Sequence, residues 1–150
     1  MPIAFETPDQ PEVHTLIAEL DTYLLALYPP ESVYALDVRT LLQPNIRFAV
    51  ARDAQGVAVG CGAIVLSEEY GEIKRMYVRP AARGTGMARQ LMNLLEDTAR
   101  SAGCPQMVLE TGPDNPEALA LYTRHGFERC GPYGGYPDDP LSVFMRKPLG

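Results

Sequence analysis

The chain has 150 residues, 46% of them hydrophobic and 21% charged, with a formal net charge of −6. That length supports one good hydrophobic core and leaves two domains cramped. The acidic balance argues against a general binder of nucleic acid or of anionic membrane, either of which would usually carry a basic face.

The opening MPIAFETPDQPEV has no basic segment followed by an apolar one, and no apolar run approaches the roughly 20 residues of a membrane span. A soluble, cytoplasmic protein is expected. A short strand is predicted from Ile3 to Thr7, then a helix from about Asp9 to Tyr28 with Val13, Leu16, Ile17, Leu20, Leu24 and Leu27 on one face. Pro29 and Pro30 stop it. A short helix from Tyr34 to Leu42 precedes two strands, IRFAVARD and VAVGCGAIVL, joined as a hairpin by a turn at Asp53 to Gly56. The strand GEIKRMYVR follows. From about Gly84 a helix runs to Ser101, with Ala88, Leu91, Met92, Leu95 and Ala99 at helical spacing and Gly103 as terminator. The strand QMVLET, the helix PEALALYTRHG, a strand from Phe127 to Cys130, a Gly/Pro/Tyr loop and the closing strand LSVFMRKP complete the order. It is a mixed α/β pattern, with an antiparallel hairpin first and then a β-α-β unit whose strands should be parallel neighbours.

Cys61, Cys104 and Cys130 are widely spaced, form no C-x-x-C pair and have only two histidines for company. They specify neither a disulfide framework nor a metal site. Cys61 reads as a small buried hydrophobe, and His14 and His125 as ordinary surface or helix residues.

VRPAARGTGMARQ, residues 78 to 90, lies where a strand becomes a helix. The free N–H groups of a first helical turn hold anions, and glycines let phosphate approach the backbone. Residues 74 to 89 carry Lys74, Arg75, Arg79, Arg83 and Arg89 and no acid. This local reversal of charge predicts a focused anion pocket. No Lys follows the glycines, as a Walker loop requires. A dinucleotide fingerprint fails at Arg89, where its third glycine should stand, although Glu110 lies near the usual distance for a ribose-binding acid.

With Val78 and Pro80 ahead of Arg83-Gly84-Thr85-Gly86-Met87-Ala88, the segment resembles the Q/R-x-x-G-x-G/A fingerprint of the GNAT superfamily of acetyl-CoA-dependent N-acetyltransferases. A second block, Asn115, Tyr122 and Gly126-Phe127, is similar to another family pattern. YGEIKRMYVRP, LETG and YPDDPLSVFM look like a subgroup of small bacterial members of undefined substrate. The resemblance implies a single GNAT-like α/β domain over residues 1–150, with a mostly antiparallel mixed sheet and a splayed central parallel pair flanked by helices. It implies acetyl-CoA as cosubstrate and no metal. Met76, Tyr77 and Val78 would bond the pantetheine arm, and Arg83, Gly84, Thr85, Gly86, Met87 and Ala88 the pyrophosphate, with Asn115 and Tyr122 also at the coenzyme. A backbone N–H near Met76 would polarise the thioester carbonyl.

Acyl transfer to an amine needs a neutral nucleophile and a proton for the departing thiolate. Tyr122 is the candidate acid, against the alternative of a tyrosine that only packs in the core. Glu110 and Glu72 are the candidates for the amine's proton, against the alternative of two exposed strand-end carboxylates. Tyr133 and Tyr136, in a loop with Asp138 and Asp139, suit a small cationic amine, and Tyr23 and Tyr28 would form the opposite wall. Three activities remain open. They are acetyl transfer to a small-molecule amine or amino acid, acetyl transfer to a protein lysine or N-terminus through an open groove, and acyl-CoA sensing without catalysis. A homodimer stays open too, because a dimer face would look like an ordinary apolar surface strand.

Overall fold

Residues 2–149 are described by a computed structural model. Strands β1 (Ile3–Phe5), β2 (Ile46–Arg52), β3 (Ala58–Leu66), β4 (Gly71–Val78), β5 (Gln106–Thr111), β6 (Glu128–Cys130) and β7 (Val143–Pro148) form one sheet in the order β1-β2-β3-β4-β5-β7-β6. Neighbours are antiparallel except β4 and β5. The expected hairpin is β2–β3. Its turn is held by the Asp53 carboxylate, which accepts the amides of Gln55 and Val57, and by Gly56 at φ 80°.

Helices α1 (Pro11–Leu27) and α2 (Val38–Leu41) cover one face of the sheet, and α3 (Met87–Ser101) and α4 (Pro116–Arg124) belong to the core on the other. Their periodicity explains the two cores. In α1 the buried residues Val13, Leu16, Ile17 and Leu20 meet Phe48, Val50, Cys61 and Ala63. In α3 Leu91, Met92, Leu95 and Ala99 meet Ala49, Ala51, Ile64 and Ile73. Strands β2 and β3 therefore carry apolar side chains on both faces.

Three boundaries differ from expectation for local reasons. Helix α1 begins at Pro11, whose missing N–H costs nothing at a first helical position. The second helix shrinks from 34–42 to Val38–Leu41, because the Asp37 carboxylate caps it by accepting the Thr40 amide at 2.8 Å. Helix α3 begins at Met87, not Gly84. Residues Pro80–Ala82 form a 3-10 turn, and Gly84 and Gly86 take left-handed φ values of 79° and 85° that interrupt any earlier helix.

The Leu95 side chain is 0% exposed beneath the sheet, whereas Leu42 is 50% exposed. Leu95→Ala should lower the urea-unfolding free energy by about 2–5 kcal/mol. Leu42→Ala should stay within about 0.5 kcal/mol of the parent in the same measurement.

Candidate active site

Strands β4 and β5 pair only at Gly71–Met107 and Glu72–Val108, and then part. Beyond that point β4 remains bonded to β3 on one edge, while its other edge faces a widening gap. A bulge sharpens the departure. Lys74 pairs with Ala63 and Tyr77 with Cys61, so Arg75 and Met76 together oppose Gly62. Arg75 takes φ 57°, a left-handed conformation that costs a non-glycine residue on the order of 1–3 kcal/mol. Its side chain secures it, donating from Nε to the Leu36 carbonyl at 2.7 Å and from Nη1 to Asp21 at 2.5 Å. Gly62 packs tightly against this bulge, since a Cβ there would stand 3.0 Å from Met76 Cε.

The gap opens into a cleft of about 640 Å³. One wall is Met76, Tyr77 and Val78 of β4, one end is the turn through Arg83, Gly84 and Gly86 into Met87 and Ala88, and the other wall is α4 from Asn115 to Tyr122. The first backbone bond of α3 runs from the Gln90 amide to the Gly86 carbonyl, which leaves the amides of Met87, Ala88 and Arg89 unpaired at the helix start. Those donors, the positive end of the helix dipole and the Arg83 and Arg89 side chains suit a diphosphate. Arg83 is held at the mouth by Val78 and Glu117, donating to the carboxylate of the latter at 2.7 Å. That bridge is exposed, so exchanging it for a phosphate costs little.

A second, smaller cavity of about 110 Å³ adjoins the cleft. Leu20, Met76, Asn115, Ala118 and Tyr122 line both. Tyr122 is buried, and burial raises its phenol pKa, with the nearby Glu110 carboxylate adding to the rise. Asn115 caps α4 by accepting the Ala118 amide at 3.3 Å and also accepts the Tyr23 hydroxyl at 3.4 Å. Glu110 lies on β5 just past the last β4 pairing and lines the smaller cavity. Burial raises its carboxyl pKa; Glu72 and Asp139 reinforce the rise, while Lys74 and the Ser142 hydroxyl oppose it.

The sequence-derived residues do not all reach the place expected of them. Of the five cations in residues 74 to 89, only Arg83 and Arg89 line the larger cleft. Arg75 and Arg79 turn to Asp21 and Glu19 on α1, and Lys74 enters the smaller cavity. Alternation along β4 sends these side chains to opposite faces, and α1 supplies the acids that the local count omitted. Thr85 turns its hydroxyl back to the Ala82 carbonyl at 2.6 Å and is not part of the cleft lining. Tyr77 lines the cleft, but its hydroxyl donates to Glu19 at 3.1 Å.

Glu72 lies outside both cavity linings, with its Oε2 accepting the hydroxyls of Tyr133 at 2.8 Å and Tyr136 at 2.6 Å. The two loop tyrosines are thus behind the cavity wall. Tyr28 does line the smaller cavity, with its hydroxyl accepting the Asp114 amide at 2.9 Å over Gly112. Tyr34 is a wall residue that the sequence did not single out, and Lys74, expected in the anion pocket, joins this wall instead, because residues 72, 74 and 76 alternate as the half-buried positions of β4.

Cys61 is fully enclosed and burial pushes its thiol up to about 12, so it offers no thiolate nucleophile. Among the described residues no cluster of His, Cys, Asp and Glu could hold a metal ion, and no helix is long and apolar enough to cross a membrane.

Residues 13–127 match the family described as the Acetyltransferase (GNAT) family. An IAA acetyltransferase of Azospirillum brasilense is 52% identical over 98% of this chain and 97% of its own length. The N-acetyltransferase YsnE of Bacillus subtilis is 36% identical over 92% of this chain and 93% of its own. A crystal structure from Klebsiella pneumoniae, assigned as an acyl-CoA N-acyltransferase, is 40% identical, covers 99% of this chain and 97% of its own, and superposes with a TM-score of 0.84. A parted parallel strand pair, a glycine turn with free amides at the start of α3 and these similarities over nearly the whole length lead to one conclusion: the chain belongs to the GNAT family and is an N-acetyltransferase.

Proposed function

We propose that the chain transfers the acetyl group of acetyl-CoA directly to the primary amine of a small molecule. The observation that carries this reading is the meeting of two cavities at Tyr122, one suited to an extended anionic cofactor and the other smaller and containing Glu110. The coenzyme arm would lie along Met76, Tyr77 and Val78, its pyrophosphate on the turn from Arg83 to Ala88. The Met76 amide would donate to the thioester carbonyl, where negative charge grows as the amine adds. Glu110 would take the ammonium proton, directly or through water. The amine nitrogen then bonds to the carbonyl carbon, the C–S bond breaks, and Tyr122 donates to the departing sulfur. Burial keeps the phenol protonated and able to donate, while weakening it as an acid.

Glu72 has a different part in this scheme. With two tyrosine hydroxyls and Lys74 around Oε2, it would fix the loop behind the cavity instead of meeting the acceptor. An acceptor cavity of about 110 Å³ suits a small molecule.

Acetyl-CoA should raise the melting temperature, since a ligand specific to the native state stabilises it by about 2.7 kcal/mol at one hundred times its Kd. In Arg83→Glu the shift should vanish. Stabilisation by ATP or NAD in place of acetyl-CoA would sink the assignment of the cleft.

Tyr122→Phe keeps the ring and removes the hydroxyl. It should leave acetyl-CoA affinity near that of the parent and lower kcat by about 10²-fold in a thiol-release assay. Unchanged turnover would return Tyr122 to a packing role, and thiol release with no amine in a broad panel would favour the sensor.

Glu110→Gln should have two opposite effects. A base must be ionised and a reference alkylamine of pKa about 10.4 is mostly protonated at neutrality, so kcat should fall most near neutral pH, where the parent carboxylate is ionised, and recover partly as pH rises further. The folded-state pKa of Glu110 is raised, so the native chain holds this proton more tightly than the unfolded chain. The carboxylate therefore subtracts stability as pH climbs from the ordinary carboxyl value through the raised one. Glu110→Gln should then melt higher than the parent at pH 7, with the gain shrinking near pH 4. A wild-type pH–rate profile with only a KM defect would count against the role as base.

A further inference from the structure

The charges around the smaller cavity narrow the acceptor, on the reading that this cavity is the acceptor site. Two cations touch it, and both are already matched. Lys74 Nζ donates to the Tyr34 carbonyl at 2.8 Å and to the Tyr136 hydroxyl, and stands 3.5 Å from Glu72. The Arg75 guanidinium is paired with Asp21 at 2.5 Å. Glu110, by contrast, takes part in no salt bridge among the described residues. Asp139, which accepts from Ser32 at 2.7 Å and Tyr34 at 2.8 Å, adds negative potential that Glu110 feels. The uncompensated charge of the cavity is therefore negative. The rest of its wall mixes apolar and aromatic side chains, Leu24, Tyr28, Val33, Tyr34 and Ile73 among them, with the polar Ser32, Thr111 and Asn115.

We infer that the acceptor is a small, uncarboxylated primary amine, and that free α-amino acids are rejected. The ammonium end would meet Glu110 beside Tyr122. A carboxylate on the adjacent carbon would enter next to Glu110 with no unpaired cation to receive it, a like-charge placement that costs strongly in a desolvated site. Size sets the second limit. An apolar cavity of about 150 Å³ holds one benzene ring. At about 110 Å³ this one suits a body of branched-alkyl size and is short for a fused bicycle. The step is the balanced one given above, with the acetyl group moving to nitrogen, the amine proton leaving through Glu110 and coenzyme A departing as the thiol.

Three acceptors with one side chain separate charge from bulk: 3-methylbutylamine, leucinamide and leucine. Rates of thiol release from acetyl-CoA, expressed as kcat/KM per protonated amine, the form that would meet Glu110, should fall in that order. Leucine should lie about 10²-fold below leucinamide, its uncharged near-isostere. Tryptamine, larger but also uncarboxylated, should lie at least about tenfold below 3-methylbutylamine. In Glu110→Gln the leucinamide-to-leucine ratio should shrink towards one whatever the overall loss of rate, because the repelling charge is gone. Equal rates for leucine and leucinamide in the parent enzyme would overturn the charge argument, and so would an unchanged ratio in Glu110→Gln. Preference for tryptamine, or for IAA, after which one relative is named, would overturn the size and charge limits. These failures would leave acetyl transfer to small amines standing. Silence with every amine tested, despite a thermal shift with acetyl-CoA, would overturn both that activity and the inference.

Discussion

The site depends on a hydrogen-bonding discontinuity. Adjacent parallel strands normally satisfy each other's backbone groups along their shared length, yet β4 and β5 do so for only two residue pairs. The bulge at Arg75 and Met76 turns β4 away, and an arginine in a left-handed conformation holds the bulge. The parted edges cannot close on each other because α4 enters on one side and the turn at the start of α3 on the other. Backbone donors and acceptors on that edge of β4 are thereby left without a strand partner. Glu110 occupies the gap for the same reason, being two residues beyond the last paired position of β5.

Helix α1 is the electrostatic counterpart of this opening. Its Glu19 and Asp21 engage Arg79 and Arg75, and its Glu12 joins Glu6 on Arg52. These pairs bind α1 to strands β2 and β4 in addition to its apolar face. Each is partly exposed on at least one side, so their value lies more in fixing the position of α1 than in raw stability. That position matters to both cavities, since Leu20 borders the two, Tyr23 reaches Asn115 and Tyr28 covers Gly112. The cations removed from the cleft by α1 leave its positive charge concentrated on Arg83 and Arg89, at the helix start where a diphosphate would lie.

A carboxylate kept in a cavity without an ion-pair partner is a local loss of stability, and the surroundings of Glu110 are built to tolerate it. Lys74 lies close enough to lower the cost without neutralising it, because its own protons are committed to Tyr34 and Tyr136. The aromatic cluster of Tyr34, Tyr133, Tyr136 and Phe144, with edge-to-face contacts of 5.1–5.7 Å between centroids, holds those partners in place. In the proposed reaction this arrangement favours an entering ammonium, which supplies the missing counter-charge and then gives up its proton.

The sequence by itself determined the order of elements, the apolar faces of α1 and α3, the glycine turn from Arg83 to Ala88 and the capped helix that carries Tyr122. Each of these is local: a period, a cap, or glycines placed where left-handed φ is needed. What the sequence could not determine was where charged side chains would go. Lys74, Arg75 and Arg79 look like parts of one basic cluster along the chain, but strand alternation and a bulge send them to different partners, 54 and 60 residues away for Arg75 and Arg79. Glu72 and Glu110 look equivalent at two strand positions, yet one is consumed by Tyr133 and Tyr136 and the other is left without an ion pair. Burial and charge pairing are properties of the assembled neighbours, and only the tertiary structure brings those neighbours together.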